Sequence, residues 1–161
     1  MSPPKRSLPS LGARDVPSGP PTVDDARAAL GGRVPRLARS RVASLARFRD
    51  TRGHDVEGVV VCETDRDLDV WIGDGRFVRI ALDRAEFSTI PGDHGLADVA
   101  ADALVFDALS EGQPVRFVSR DDHEREGVLA ERCRYGALVS HDGRVFAVSF
   151  RRLWPREIGG A

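Results

Sequence analysis

Apolar and polar residues alternate in two short stretches that each surround an Asp-Gly pair. The first spans residues 68–82 around Asp74-Gly75, and the second spans residues 137–150 around Asp142-Gly143. A period of two places alternate side chains on opposite faces of a strand, and Asp-Gly suits a two-residue turn with positive φ at both positions. The pattern therefore predicts two β-hairpins. Their second strands carry matching apolar faces, formed by Val78, Ile80 and Leu82 and by Phe146, Val148 and Phe150.

The two hairpins belong to an internal duplication. Residues 47–59, RFRDTRGHDVEGV, align with residues 116–128, RFVSRDDHEREGV, at a shift of 69, with six identical positions in thirteen. Average composition would give roughly one identity. The match resumes at Asp-Gly-Arg, residues 74–76 and 142–144. We therefore expect two similar units of about 40–45 residues each.

Further strands precede each hairpin. Residues 46–50 of the first copy and 114–119 of the second are predicted to form equivalent strands. Residues 57–61 and 126–130, which both begin with Glu-Gly, are predicted to form the next strand of each copy. The early glycine indicates a bulge or a sharp bend. A unit of four to five such short strands must curl to protect its edges.

In these elements the chain resembles the SH3-like small barrels of the Tudor and KOW type. The resemblance rests on the Arg-Phe strand, Glu-Gly-Val, Asp-Gly-Arg and the closing Arg…Pro of each copy, over residues 46–91 and 114–156. It implies a fold, and a fold alone does not transmit function. The expected fold class is mainly β, with two tandem SH3-like barrels and an amphipathic linker helix. The expected divisions are a disordered, partly helical basic arm (1–34), a first barrel (35–91), the linker helix (92–112), a second barrel (113–156) and a tail (157–161).

Helical and disordered segments lie outside the repeats. Residues 1–21 hold six of the ten prolines and are predicted to be a disordered tail. Thr22 and Asp25 form a capping-box pattern at the start of a short helix that ends at Gly31-Gly32. Residues 35–45 show helical spacing that indicates one or two further turns. In the linker, Leu96, Val99, Ala103 and Phe106 recur at helical spacing, which predicts an amphipathic helix.

The net charge of −1 conceals a strong asymmetry along the chain. Residues 1–49 carry ten basic and three acidic side chains, whereas residues 50–91 carry five and ten, and residues 92–111 carry none and five. Residues 112–161 carry nine basic and seven acidic side chains. A basic arm beside an acidic middle indicates either contact with a polyanion or ion pairing within the chain.

Nucleic acid is the first predicted partner. The second unit interleaves arginine with aromatic residues, and exposed aromatic rings can stack on bases while arginines hold phosphates. Tyr135 and Trp154 are the candidate stacking platforms, because Phe146 and Phe150 lie on the predicted core face. The predicted nucleic-acid-binding residues are Arg134, Tyr135, Arg151, Arg152 and Arg156 in the second unit and Arg36, Arg39 and Arg41, with Arg33, before the first.

A protein partner is the alternative prediction. The acidic first unit and linker helix would dock a basic partner in an adaptor of this kind. An aromatic cage for a cationic side chain, built from Trp71, Phe77 and Phe87 near Asp69 and Asp83, is a further alternative. For Trp71 and Phe77, however, the pattern favours a packed cross-strand pair.

Catalytic and metal-binding signals are weak. His54 and Glu57 in the first copy match His123 and Glu126 in the second, but the surrounding charges favour a solvated turn over a metal site. The phosphate-loop, nucleophile-elbow and zinc-protease motifs are missing from the sequence. We therefore expect no enzyme activity, no cofactor and no metal. Two cysteines without an apolar leader or an 18-residue apolar run predict a cytoplasmic protein that does not bind membranes.

Overall fold

The protein is mainly β. A computed structural model describes residues 22–33, 41–156 and the backbone of residues 37–38. These residues form two antiparallel sheets and two α-helices, α1 (Val23–Ala29) and α2 (Ala97–Asp107). The predicted disordered tail at 1–21 and the predicted tail at 157–161 lie outside the described residues.

The two sheets repeat one strand order. The first contains β1 (Leu37–Ala38), β2 (Leu45–Arg49), β3 (Asp55–Thr64), β4 (Asp67–Gly73), β5 (Arg76–Ala81) and β6 (Glu86–Ser88). The second contains β7 (Pro114–Val118), β8 (Glu124–Arg132), β9 (Gly136–His141), β10 (Arg144–Ser149) and β11 (Leu153–Pro155). The orders are β5-β4-β3-β2-β6, with β1 beside β3, and β10-β9-β8-β7-β11. The duplication therefore extends from sequence to topology. Among the described strands, no pairing joins the outer strands of either sheet, so neither sheet closes into a ring.

Both Asp-Gly turns have the predicted geometry. Asp74 and Gly75 have φ values of 52° and 71°, and Asp142 and Gly143 have values of 50° and 74°. These left-handed conformations match the right-handed twist of the flanking strands. The predicted hairpins β4–β5 and β9–β10 are confirmed.

The glycines of the two Glu-Gly-Val stretches have a different role from the one predicted. A Cβ atom on Gly58 would overlap the carbonyl oxygen of Trp71, and one on Gly127 would overlap that of Ser140. The register shifts occur after these glycines, between Val60 and Cys62 and between Leu129 and Glu131. The glycines therefore allow close approach of the neighbouring strand, and the bulges fall elsewhere.

The helical prediction for residues 35–45 is wrong. Leu37–Ala38 is a strand that pairs with β3, and Ala43 has a φ of 71° in the turn before β2. The apolar spacing there spans too few residues to distinguish a helix from a turn followed by a strand. The earlier helix is confirmed, because the Thr22 side chain accepts a hydrogen bond from the Asp25 N–H while Asp25 accepts one from the Thr22 N–H.

One buried cluster includes residues of both sheets and α2. Val59 and Val61 come from β3, Phe106 from α2, and Phe117 from β7. The helix buries Val99, Ala100, Ala103 and Phe106. A second cluster, which includes Val60, Val70 and Phe48, fills the other side of the first sheet. The two copies therefore pack against each other through a common core.

Candidate nucleic-acid interface

Three aromatic residues line a cavity at the junction of the two sheets. Trp71 on β4, Phe77 on β5 and Tyr135 in the turn between β8 and β9 share this cavity with Arg151, and its volume is about 410 Å³. We call Trp71, Phe77 and Tyr135 the aromatic slot. Two residues predicted to contact nucleic acid, Tyr135 and Arg151, therefore lie together. Their aromatic neighbours come from the other copy.

Backbone pairing and ring packing hold the slot. Trp71 and Phe77 are cross-strand partners, as predicted. The Phe77 and Tyr135 rings stack with centroids 3.9 Å apart and planes 5° apart. The Tyr135 N–H donates to the Leu30 carbonyl at 3.1 Å, and its carbonyl accepts from the Phe150 N–H at 2.8 Å. The stacked pair is thus fixed from α1 and from the second sheet.

Arg151 lies at one side of the slot. Its guanidinium carbon is 5.6 Å from the centroid of the Trp71 ring, and its Nε donates to Asp102 of α2 at 2.6 Å. The side chain is about one-third exposed. The other two guanidinium nitrogens have no acceptor among the described residues, so they remain free to donate to a ligand.

Arg134 is not on a surface, which corrects the sequence prediction. Its side chain is 10% exposed and donates to Asp69 at 2.7 Å and to Asp67 at 3.2 Å, across the junction between the two copies. Asp69 is fully buried and also accepts from Arg79 at 2.9 Å. Burial opposes ionisation of Asp67, but hydrogen bonds from Thr64 and Arg134 keep the pKa of this carboxyl below its usual value. Arg134 therefore joins the two copies and leaves the set of candidate ligand contacts.

The other predicted arginines that the structure describes are dispersed, and each contacts a carboxylate. Arg152 pairs with Asp122 at 3.2 Å, and Arg156 pairs with Glu126 at 3.4 Å. Arg41 pairs with the buried Glu63 at 3.0 Å, and its guanidinium lies 5.0 Å from the Phe87 ring. These pairs reduce the positive charge available to a polyanion. Arg36 and Arg39 lie outside the described residues, and Arg33 pairs with Glu131 at 3.1 Å.

Trp154 and Phe87, the other aromatic residues considered for binding, do not line the cavity of the aromatic slot. Trp154 is half-buried, with the Arg116 guanidinium 5.1 Å from its ring. Phe87 packs on the second cluster, on the other side of the first sheet from Trp71 and Phe77. The three rings of the proposed cation cage are therefore not brought together.

The duplicated histidines contact aspartates that precede them in their turns. His54 lies 3.7 Å from Asp50, and His123 lies 3.2 Å from Asp121. Glu57 is instead 3.7 Å from His94. Within the part of the chain that the structure describes, no three histidine, cysteine or acidic side chains are placed to hold a metal ion.

Cys62 and Cys133 are buried free thiols. Burial raises the pKa of Cys62 to about 12 and that of Cys133 to about 11. Since the thiolate is the reactive form, we expect neither thiol to react with Ellman's reagent in the native protein at about pH 8. Both are expected to react after unfolding in urea. Rapid reaction of either thiol without denaturant would contradict this placement.

The sequence pattern predicts Trp71 and Phe77 as a packed pair but does not predict their contact with the second copy. The sequence does contain one signal of this second contact. Phe77 shares a face of β5 with Arg79 and Ala81, which are polar or small. Large aromatic residues on a face that is otherwise polar indicate a second contact surface. The partner of that face could not be identified without the fold.

Comparison with known proteins gives no relative from which a function can be transferred. A scan against protein-family models found no match, and a search of curated protein sequences found none either. Among the described residues, no helix has the length and apolar character needed to cross a membrane.

Proposed function

We propose that this chain is a non-catalytic module that binds single-stranded nucleic acid, with one base stacking on Trp71 in the aromatic slot. The observation that carries the proposal is the convergence of Trp71, Phe77, Tyr135 and Arg151 on one cavity at the junction of the copies. Stacking on aromatic side chains and contact with arginine are the two interactions that single-stranded nucleic acids require.

The lining of the cavity favours an anionic ligand over a cationic one. Its residues include Arg151 and no carboxylate. A cage for a cation combines aromatic rings with acidic groups, whereas a nucleotide combines a flat ring with negative charge. The volume of about 410 Å³ lies in the range of small-ligand sites.

The phosphate contact at the slot would come from Arg151, which lines the cavity. Arg151 keeps two free nitrogens beside its bond to Asp102. Since Arg134 and Arg41 are engaged with buried carboxylates, this surface is smaller than the sequence predicted. We therefore propose modest affinity and a strong dependence on salt.

The proposed scaffold is a pair of tandem SH3-like barrels linked by α2. The repeated strand order supports it, as do the short 3-10 turns before β6 and β11, at Leu82–Arg84 and Phe150–Arg152. In this arrangement the slot forms where the first barrel meets the second, so neither copy contains the whole site.

Fluorescence anisotropy with labelled single- and double-stranded oligonucleotides at two salt concentrations tests the proposed function. We expect the single strand to bind more tightly than the duplex and binding to weaken as salt rises. Replacing Arg151 with glutamine should weaken binding about tenfold, the size expected for one charge-assisted contact.

The matched control is Arg49→Gln. Arg49 is an exposed arginine in an ion pair with Asp55 and does not line the slot. Its replacement removes the same charge and should leave affinity nearly unchanged. Equal losses in the two variants, or no binding of any oligonucleotide at low salt, would overturn the proposal.

In the alternative function, the acidic first unit and linker helix would dock a basic partner. Fewer of their carboxylates are free for such a partner than the sequence indicates. Asp102 of α2 pairs with Arg151 at 2.6 Å, and Asp107 lies 3.9 Å from Arg132. Binding of a basic peptide by a protein that binds no oligonucleotide would favour this alternative.

A further inference from the structure

Two exposed valines lie on one face of the second sheet. Val128 on β8 and Val145 on β10 are both cross-strand partners of Ser140 on β9, so the three side chains share a face. Val128 is 44% exposed and Val145 is 45% exposed. We call Val128, Ser140 and Val145 the valine face. Neighbouring exposed aliphatic residues of this kind indicate a contact surface.

The corresponding positions of the first copy form an interface within the chain. Under the duplication, Val128 matches Val59, and Ser140 and Val145 match Trp71 and Phe77, which flank the equivalent hairpin turn. Val59 is fully buried in the core that α2 shares with both sheets, and Trp71 and Phe77 are half-buried against that core. The same face is therefore covered in one copy and open in the other.

The short helix α1 covers the second copy only in part. A groove of about 730 Å³ runs between α1 and β10. Its apolar lining includes Val23, Ala26 and Ala29 from the helix and Val145 and Ala147 from the strand. Val23 is itself 44% exposed. The groove is thus continuous with the valine face and leaves apolar side chains in contact with solvent.

The charged side chains that line this groove give it a net positive charge, from Arg120, Arg125 and Arg144 against Asp25 and Asp121. Arg120 and Arg144 line it, are exposed, and have no ion-pair partner among the described residues. Of its two acidic residues, Asp121 accepts from Arg125 at 2.9 Å, whereas the exposed Asp25 accepts from the Thr22 N–H in the helix cap and keeps its negative charge. A ligand for this groove should therefore combine aliphatic side chains with negative charge.

We propose that the valine face and the adjoining groove dock an acidic amphipathic helix of a partner protein. The first copy provides the precedent, since α2 contributes to covering its equivalent face with Val99, Ala103 and Phe106. That helix contains aspartates and no basic residue, and its Asp102 pairs with Arg151 of the second unit. In the partner complex, Arg120 and Arg144 take the role that Arg151 has within the chain.

A labelled peptide with the sequence of residues 95–111, GLADVAADALVFDALSE, is the probe, and its binding to the full chain is followed by anisotropy. We expect Val145→Lys to weaken binding about tenfold, as for a central interface residue. The matched control is Leu104→Lys, which places the same charge at another exposed aliphatic position, 58% exposed on α2. It should leave peptide affinity unchanged.

Charge reversal separates recognition from a structural effect. The double variant Arg120→Glu and Arg144→Glu should lose the acidic peptide and gain binding of the same peptide with its three aspartates changed to lysine. Failure of the acidic peptide to bind, or equal binding by wild type and Val145→Lys, would overturn the proposal.

Two other occupants are outcomes of the same experiment that would also overturn it. Loss of single-stranded oligonucleotide binding in Val145→Lys would assign the groove to nucleic acid. Self-association of the wild type that disappears in Val145→Lys, measured by sedimentation, would assign it to a second copy of the chain. Val145 does not line the aromatic slot, so the comparison of Arg151→Gln with Arg49→Gln still tests the slot by itself.

Discussion

Replacing Asp69 with alanine is expected to lower the free energy of unfolding by about 3 kcal/mol, because it leaves the buried Arg134 guanidinium without its main partner. Asp69 is fully buried and accepts from Arg134 at 2.7 Å and from Arg79 at 2.9 Å. Arg79 is partly exposed and can turn to solvent, whereas Arg134 keeps only the 3.2 Å contact with Asp67. We place the loss at the lower end of the range for broken buried pairs because that contact remains. Equilibrium unfolding in urea measures it.

The control for this prediction is Arg49→Ala. Arg49 and Asp55 form a pair in which both side chains are exposed, and such pairs contribute between about 0 and 1 kcal/mol. Replacing both junction partners, as Asp69→Leu with Arg134→Met, should recover much of the loss, because no buried charge is then left unpaired. A loss for Asp69→Ala no larger than that for Arg49→Ala would show that the junction pair is not buried as described.

Replacing Phe150 with alanine is expected to destabilise the protein by about 3–5 kcal/mol, the usual cost of removing a fully buried phenylalanine. Phe150 is 1% exposed and contacts Phe77 of the first sheet, with centroids 6.0 Å apart, and Phe106 of α2, at 6.2 Å. The cavity would therefore open in the core shared by the two copies. Val145→Ala, at an exposed position of the same sheet, should change stability by about 0.5 kcal/mol or less.

The shared core also determines how the protein unfolds. Trp71 lies in the first sheet and Trp154 in the second, and they are the two tryptophans of the chain. Variants with Trp154→Phe or Trp71→Phe therefore report on one sheet each. In urea the two fluorescence transitions should coincide, as for one cooperative unit. Separate midpoints would show that the copies unfold independently and that Phe150 does not couple them.

Local patterns predicted the repeated hairpins because their determinants are adjacent in sequence. Asp74-Gly75 and Asp142-Gly143 specify their turns through positive φ, and the alternation that follows specifies the face of each strand. The capping box at Thr22 was recognisable for the same reason. Residues 35–45 were misassigned because a short apolar spacing fits a helix as well as a turn and a strand.

The roles of Arg134 and Tyr135 depend on residues of the other copy. Arg134 pairs with Asp69, and Tyr135 stacks on Phe77. Within the second unit, both residues follow a pattern of arginine and aromatic residues that is typical of a binding surface. Only the packing of the two copies shows that Arg134 is buried between them and that Tyr135 contributes to a slot with Trp71. The same packing places Asp102 against Arg151, so part of the charge asymmetry is neutralised within the chain.

The duplication thus leads to a cavity that neither copy lines alone. The first copy supplies Trp71 and Phe77, the second supplies Tyr135 and Arg151, and α2 positions Arg151 through Asp102. In the second copy, the positions that match Trp71 and Phe77 are Ser140 and Val145. Ser140 is half-buried and Val145 is exposed. Divergence at these equivalent positions gives the two copies different surfaces on a common scaffold.

Tryptophan fluorescence of the Trp154→Phe variant tests whether a base stacks in the aromatic slot, because Trp71 is then the remaining tryptophan. Titration with an unlabelled oligothymidine should quench Trp71 emission as a base stacks in the slot. In the double variant Trp154→Phe with Arg151→Gln, the quenching curve should move to about tenfold higher oligonucleotide concentration. Binding detected by anisotropy without any change in Trp71 emission would contradict base stacking in the slot, and the absence of binding by both methods would contradict nucleic-acid binding itself.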